Sequence, residues 1–453
     1  MTTTTSTHPA LEPLPPAGAP PERIPAYVWL FLGSTALNVF SGNSGLMGFP
    51  VPPDRVLLLG SLMLLALEPR RDRLRGVPVY VVMAILTLWT AWSALTVGTL
   101  TTANGSYALL DRIMVPFLMF AVGGLIFSST RRRDLLLQTL TVVGLYLGVV
   151  SVLSMVGPQR LVFPRYIMDY LANSPMAKND PRAVGPFLSS EANGMALALC
   201  AFAAALLWIR TRNAGWRALV LITIPASTAG LILTLTRSSW LAAVLGVVLV
   251  GLFVPGARRW LALVAVLGTA ALGAILVAVP SLMELATGRL TTSRSLYDRA
   301  NTYEAGWRAL AEQPLFGIGW SRFIDIGTEW VRQAPDYPIT TVTIEIHNVF
   351  LSRAVETGIP GALLWIAIVV MGPLTILWRA RRSRGELRLW WLFLLFALVV
   401  WFVPSMTSPN PYPFPNYLMW LIAGIAGRTV LVHNLTTKTG DDGIERRRVL
   451  EDS

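Results

Sequence analysis

Long apolar segments recur along almost the whole chain, and they constrain the fold more than any other feature. They follow one another from Tyr27 to Leu431, with no interval long enough for a separate soluble domain. A helix needs roughly 20 such residues to cross a bilayer. Hydrophobic residues make up 54% of the 453 residues and charged residues only 14%, against roughly 25% charged residues in soluble domains. The sequence therefore predicts an all-α integral membrane protein.

The apolar segments predict about twelve transmembrane helices. Their approximate bounds are 26–41, 53–68, 77–98, 110–128, 134–156, 192–210, 216–235, 238–254, 260–280, 361–378, 388–404 and 415–432. The predicted divisions are a disordered cytoplasmic tail (1–24), transmembrane helices 1 to 9 (25–280), a large extracytoplasmic loop between helices 9 and 10 (281–346), a short helix with transmembrane helices 10 to 12 (347–432) and a cytoplasmic tail (433–453). The first tail is rich in Thr, Pro and Ala, a composition that cannot bury enough apolar surface to fold.

Arginine is distributed unevenly between the connections, and this predicts the topology. Alternate connections contain groups of arginine, at 70–75, 131–133, 210–217, 258–259 and 379–388. The intervening connections 42–52, 99–109 and 405–414 contain no Lys or Arg. Basic loops favour the cytoplasmic side, so both termini are predicted in the cytoplasm. The same loops explain most of the net charge of +12, which therefore does not indicate nucleic-acid binding.

The sequence contains no recognisable motif for binding a metal or a nucleotide. The single cysteine, Cys200, lies inside an apolar segment, so neither a disulfide framework nor a thiolate metal site is predicted. The chain has no paired-histidine zinc motif and no glycine-rich phosphate loop after a strand. The residues predict no metal and no cofactor.

The loop 281–346 contains a second kind of helix, and a break follows it. The stretch 298–313 places four apolar residues at helical spacing, which predicts an amphipathic helix lying on the membrane or the bundle (Ala300, Tyr303, Trp307 and Leu310). Further on, the sequence GIPG at 358–361 supplies a glycine stop and a proline. It predicts a short helix 347–357, separate from the span that starts at Gly361.

Of three histidines, only His347 lies away from the terminal regions. It stands at the start of the predicted short helix, where the partial positive charge of a helix N-terminus favours the neutral imidazole that a general base needs. The alternative is a histidine that only caps or orders the loop. Glu356 is predicted on the opposite helix face, paired with Arg353 or with a neighbouring helix.

Three arginines on the predicted outer side are candidates for binding phosphate. Arg237 lies in a very short outer connection, where few basic residues are expected, and a guanidinium matches phosphate oxygens bidentately. Arg299, on the amphipathic helix, is a candidate for a second phosphate contact. Arg182 lies in the first long outer loop, before Glu191 and Asn193 at the mouth of a span. The alternative for Arg237 and Arg299 is contact with lipid headgroups at the interface.

Four motifs in order resemble the O-antigen ligase and polymerase superfamily over roughly residues 180–375. They are GPFLSSEANGMALAL (185–199), TLTRSSWLA (234–242), RANTY with PLFGIGWSRF (299–303 and 314–323) and HNVFLSRAVETGIPG (347–361). Two departures occur: Glu191-Ala192-Asn193 stands where relatives usually have Asn-Pro-Asn, and Tyr303 where Trp is common. The first departure puts Glu191 in doubt as a site residue.

The resemblance implies a fold of the polyprenyl-dependent glycosyltransferase type and a metal-independent enzyme of the bacterial plasma (inner) membrane. It implies that His347 assists the acceptor hydroxyl, while Arg237 and Arg299 bind the pyrophosphate of a polyprenyl-pyrophosphate-linked glycan donor. Arg182, Asn193, Asn348 and Tyr303 are predicted to bind substrate. The other expected partners are membrane lipid and a glycan, lipid or protein acceptor, with no nucleic acid.

Three functions stay open at this point. The motif spacing favours ligase-type transfer to a non-polymer acceptor, whereas a polymerase would use a second lipid-linked glycan as acceptor and nearly the same residues. A transporter or lipid flippase is the alternative of another class, and it would carry ionisable residues deep within its spans. Here the charged candidates lie at one face. The sugar, the linkage and the acceptor are not specified by any motif.

Overall fold

The computed structural model describes residues 22–68, 78–179, 181–254, 294–331 and 345–428. Within them, every regular element is helical. The predicted ninth span, 260–280, lies outside the described residues, as do the C-terminal tail and nearly all of the N-terminal tail. The division of the chain into segments stays a prediction.

The described α-helices are numbered here in chain order. They are α1 (Ala26–Leu37), α2 (Pro53–Leu67), α3 (Pro78–Thr96), α4 (Ala103–Leu109), α5 (Val115–Ile126), α6 (Thr130–Val156), α7 (Tyr166–Asn173), α8 (Pro175–Asn179), α9 (Ser190–Arg210), α10 (Ala214–Leu233), α11 (Arg237–Phe253), α12 (Arg294–Glu312), α13 (Phe323–Ile326), α14 (Val349–Val369), α15 (Thr375–Ala380), α16 (Gly385–Ser405) and α17 (413–428). Short π-helical turns, Leu110–Met114 and Val370–Leu374, join α4 to α5 and α14 to α15.

Seven helical segments of the described residues are long and apolar enough to cross a membrane. They are α3, α4 with α5, α6, α9, α10, α14 with α15, and α16. This composition and length fit the predicted multi-pass membrane protein. The number of about twelve spans and the position of the large loop stay predictions.

Helices α6, α9 and α10 pack closely because small residues line their contacts. A Cβ atom on Gly148 of α6 would come 2.6 Å from the backbone of Ala226 in α10, and one on Gly144 would come 2.7 Å from Cys200 in α9. Small residues let membrane helices approach one another to backbone distance. The packing brings the start of α9 beside the end of α10.

The predicted break after the short helix is present, at Gly358. Its φ of 75° and ψ of 175° interrupt α14, and a left-handed φ favours glycine because other residues have a Cβ. A Cβ here would also overlap the carbonyl group of Leu315. The first part of α14 therefore runs separately from its membrane-spanning part, as the GIPG sequence predicts.

The break leaves carbonyl groups of α14 without donors from the same helix, and backbone N–H groups of a neighbouring segment donate to them instead. Pro360 has no N–H to give to the carbonyl of Glu356. Instead, Gly319 N donates to Glu356 O at 3.2 Å, and Ile318 N donates to Val355 O at 2.9 Å. Side chains of α3 add bonds to the same region (Ser93 to Glu356 and Trp89 to Thr357). The break thus joins α14 to the segment that follows α12.

Replacing Gly358 with alanine is expected to destabilise the protein by roughly 3 kcal/mol, since a left-handed backbone and a steric overlap both disfavour the new methyl group. The measurement is the apparent unfolding temperature of the purified protein in detergent. Gly42→Ala is the matched control, because a Cβ there would meet nothing within 4 Å. An equal unfolding temperature for the two variants would contradict this account of the break.

The predicted amphipathic helix is present as α12, and the side chains that it packs against the bundle differ in part from the four apolar residues at helical spacing. Trp307 is 62% exposed and Ala300 is exposed as well. The buried side chains include Ala305 and Ala309, which pack in one cluster with Leu351 of α14. Small residues on this face allow α12 to lie close against α14. The buried side of α12 is therefore determined by this contact and not by the apolar periodicity.

Candidate active site

The sequence-predicted site residues lie on elements that meet at one end of the bundle. This end holds the start of α9, the connection from α10 to α11, the start of α14 and the connection after α16. Thr236 before α11 donates to Ser190 Oγ at 3.0 Å, which joins two of these elements. The arginine-rich connections after α9 and α15 lie at the opposite end, because successive helices alternate in direction.

His347 lies two residues before α14, which starts at Val349. Its ring Nδ1 is 2.9 Å from the carbonyl oxygen of Glu345. Because a carbonyl only accepts hydrogen bonds, Nδ1 is the protonated nitrogen of this contact, and the basic lone pair of the neutral ring is on Nε2. The side chain is partly exposed. This tautomer is the one that a general base acting through Nε2 requires.

The segment before His347 is anchored from inside the bundle by Arg112. Its Nη2 is 2.6 Å from Oε1 of Glu345, and Arg112 lies in the π-helical turn between α4 and α5. Sequence analysis missed this residue because the predicted span 110–128 includes it. An arginine within an apolar segment is costly and so indicates a specific partner, and that signal was available.

Tyr303 and Asn348 shape the backbone around His347. The Tyr303 hydroxyl is shared between the carbonyl oxygens of His347 and Met406, each at 2.7 Å. Asn348 is the N-cap of α14, and its Oδ1 accepts from Leu351 N at 3.0 Å. Tyr303 therefore ties α12 to His347 and to the connection after α16. Direct contact of these two side chains with substrate stays a prediction.

Arg237 and Arg299 both act electrostatically on Arg182, although the three residues are far apart in sequence. Burial lowers the pKa of Arg182 to about 10; the Glu191 carboxylate opposes this shift, and the positive charges of Arg299 and Arg237 add to it. Like charges influence a pKa in this way only when they are close. We call these three residues the arginine cluster. Arg237 is exposed, and the other two are partly exposed.

Glu191 lies within the arginine cluster, in the first turn of α9. Its Oε1 accepts a hydrogen bond from Ser238 Oγ at 3.1 Å, and Ser408 also bonds the carboxylate. Tyr412 hydrogen-bonds Ser408 in turn, and burial raises the pKa of its phenol above the ordinary value. The doubt about Glu191 arose from a departure from the family pattern, whereas the structure places it close to Arg182 and next to Ser238.

Asn193 lies buried near the start of α9 and holds the segment that carries Arg182. It is fully buried, and its Nδ2 donates to Ser151 Oγ and to the carbonyl of Ala183, both at 2.9 Å. The second bond fixes the segment that carries Arg182. Direct contact of Asn193 with substrate stays a prediction.

Residues 222–366 match the family model described as O-Antigen ligase. Over this range the chain resembles the O-antigen ligase superfamily. The matched range contains Arg237, Arg299 and His347, and it ends in α14 after the break. No curated protein matches the chain at a significant level.

Arg353 and Glu356 form a buried pair at the same end of the bundle. Their side chains are 3.5 Å apart, as predicted, and the Arg353 guanidinium lies 4.7 Å from the ring centre of Trp320. Cation–π contact and the carboxylate offset part of the cost of burying this charge. Both residues precede the break, so they do not lie in the membrane-spanning part of α14.

Proposed function

We propose that this protein is a membrane glycosyltransferase of O-antigen ligase type. It transfers a polyprenyl-pyrophosphate-linked oligosaccharide or polysaccharide to an acceptor hydroxyl at the outer face of the bacterial plasma membrane. The observation that carries the proposal is the contact between two parts of the site. The hydroxyl of Tyr303, one helical turn after Arg299, donates a hydrogen bond to the backbone carbonyl of His347. The family match supports the same class of reaction.

The proposed reaction needs a base and an anion site, and the two parts of the site supply them. The acceptor oxygen attacks the anomeric carbon of the donor, and the bond from that carbon to the pyrophosphate oxygen breaks. The proton of the acceptor hydroxyl passes to Nε2 of His347, which acts as general base. The pyrophosphate leaves with the electron pair, and the arginine cluster stabilises its negative charge. No nucleotide is consumed, because the donor is already activated.

The arginine-rich connections support the proposed orientation. They lie at the end of the bundle opposite His347, and basic connections favour the cytoplasm. The site then faces away from the cytoplasm, with both termini inside. The buried pair of Arg353 and Glu356 also lies at the site end, which favours an enzyme acting at one face over a transporter with charges at the membrane midplane.

The test uses the purified protein in lipid nanodiscs with a polyprenyl-pyrophosphate-linked glycan. We expect release of polyprenyl pyrophosphate together with transfer of the glycan to an added acceptor. Two parallel reactions, with a non-polymer acceptor and with a second lipid-linked glycan, separate ligase from polymerase activity. Movement of the intact donor across proteoliposome membranes, with no release in either reaction, would support a transporter and overturn the proposal.

A further inference from the structure

Glu191 brings a negative charge into a site that is proposed to bind an anion. From this we propose that the Glu191 carboxylate weakens binding of the spent polyprenyl pyrophosphate more than binding of the intact donor, which eases release of the product. Glu191 is then a specificity-determining residue. The inference rests on the proposed function, since it assigns a role within the proposed donor site.

The carboxylate is held in place by hydroxyl groups from two other elements. Ser238, which donates to Glu191 Oε1 at 3.1 Å, directly follows Arg237, while Ser408 belongs to the connection after α16. On the other side, Ser190 Oγ lies 3.4 Å from Arg182 Nη1. The negative charge therefore has a fixed place between the elements that carry Arg182 and Arg237.

The pyrophosphate group carries a different charge in the intact donor and in the released product, and both charges act on the four side chains. Three guanidinium groups and one carboxylate have a formal charge of +2. In the donor, both phosphates are esterified, so the pyrophosphate carries about two negative charges, whereas the product has a terminal phosphate with a second ionisation near pH 6 and carries about three. Bond cleavage thus adds a negative charge to the pyrophosphate group.

This change of charge gives Glu191 a specific effect on binding. The carboxylate repels each negative charge of the bound pyrophosphate, so it opposes the more highly charged product more than the donor. Because two charges a few ångströms apart interact strongly at a partly buried site, replacing Glu191 by a neutral residue is expected to tighten product binding about tenfold.

The experiment compares Glu191→Gln with the wild-type protein, full length in nanodiscs, by calorimetric titration. The probes are farnesyl pyrophosphate, which has a free terminal phosphate, and its methyl ester on that phosphate, which does not. We expect Glu191→Gln to bind farnesyl pyrophosphate about tenfold more tightly and the methyl ester only about fivefold more tightly, because the ester carries two negative charges instead of three.

Two variants control for structural effects. Glu191→Asp keeps the charge and is expected to keep the wild-type preference. Glu304→Gln removes a carboxylate of α12 that is 65% exposed and pairs with Arg308, and it is expected to leave both affinities unchanged. If Glu191→Gln does not fold, Glu191→Ser is the second neutral variant, and equal tightening of the two probes in it would overturn the inference.

The remaining outcomes separate the inference from the proposed function. Equal tightening of both probes in Glu191→Gln, or weaker binding of both, would overturn the role of Glu191 and leave the donor site intact. Binding of neither probe by any folded variant would overturn the donor site, and with it the proposed function.

Discussion

Replacing His347 with alanine is expected to lower the rate of glycan transfer by about 10²–10⁴-fold, the usual contribution of a general base. The proton of the acceptor hydroxyl then has no side-chain acceptor in the position that Nε2 occupies. The measurement is the initial rate of polyprenyl pyrophosphate release at saturating donor. Donor affinity is expected to stay close to wild type, because the arginine cluster is unchanged.

Glutamine at the same position separates catalysis from a structural role. His347→Gln retains an N–H group that can donate to the Glu345 carbonyl, now bound by Nδ1 at 2.9 Å, but it has no basic nitrogen. We expect it to be as inactive as alanine, with an unfolding temperature like that of the wild-type protein. If His347 only orders the loop, His347→Gln will turn over near the wild-type rate, and the assignment of the base is wrong.

The helices and the break in α14 were predictable because their signals are local. Apolar runs mark the segments, and glycine with proline at 358–361 ends a helix in any context. The inward face of α12 was not predictable from periodicity, because it is selected by contact with α14. Ala305 and Ala309 face inward there, while Trp307 is exposed.

The site was predictable to the extent that the topology decides it. The alternation of cytoplasmic and outer connections was enough to predict Arg237, Arg299 and His347 on the same side of the membrane. Their supports were not predictable, because they join elements distant in sequence: Arg112 and Glu345 are 233 residues apart. Glu191 was doubted for a related reason, since a family pattern reports on relatives and does not show which neighbours a substituted residue acquires.

Replacing Arg237 or Arg299 with alanine is expected to lower kcat/KM for the donor by about 10²–10³-fold, as loss of a donor that stabilises developing charge does. The reason is that the leaving pyrophosphate gains charge within the cluster as the bond breaks. Lysine at either position is expected to restore part of the rate, since it keeps the charge but loses the bidentate geometry. The measurement is kcat/KM from polyprenyl pyrophosphate release at varied donor concentration.

The double variant tests whether the two arginines act on the same group. If Arg237 and Arg299 contact one pyrophosphate, their effects are coupled, and the loss in the double variant will differ from the sum of the single losses in free energy. Arg165→Ala is the matched control, because this arginine lies in the long connection after α6 and bonds the backbone carbonyl of Arg160 at 2.6 Å. It is expected to leave kcat/KM unchanged. Strictly additive losses would indicate two separate sites, and a loss as large in Arg165→Ala would indicate a general effect of surface charge.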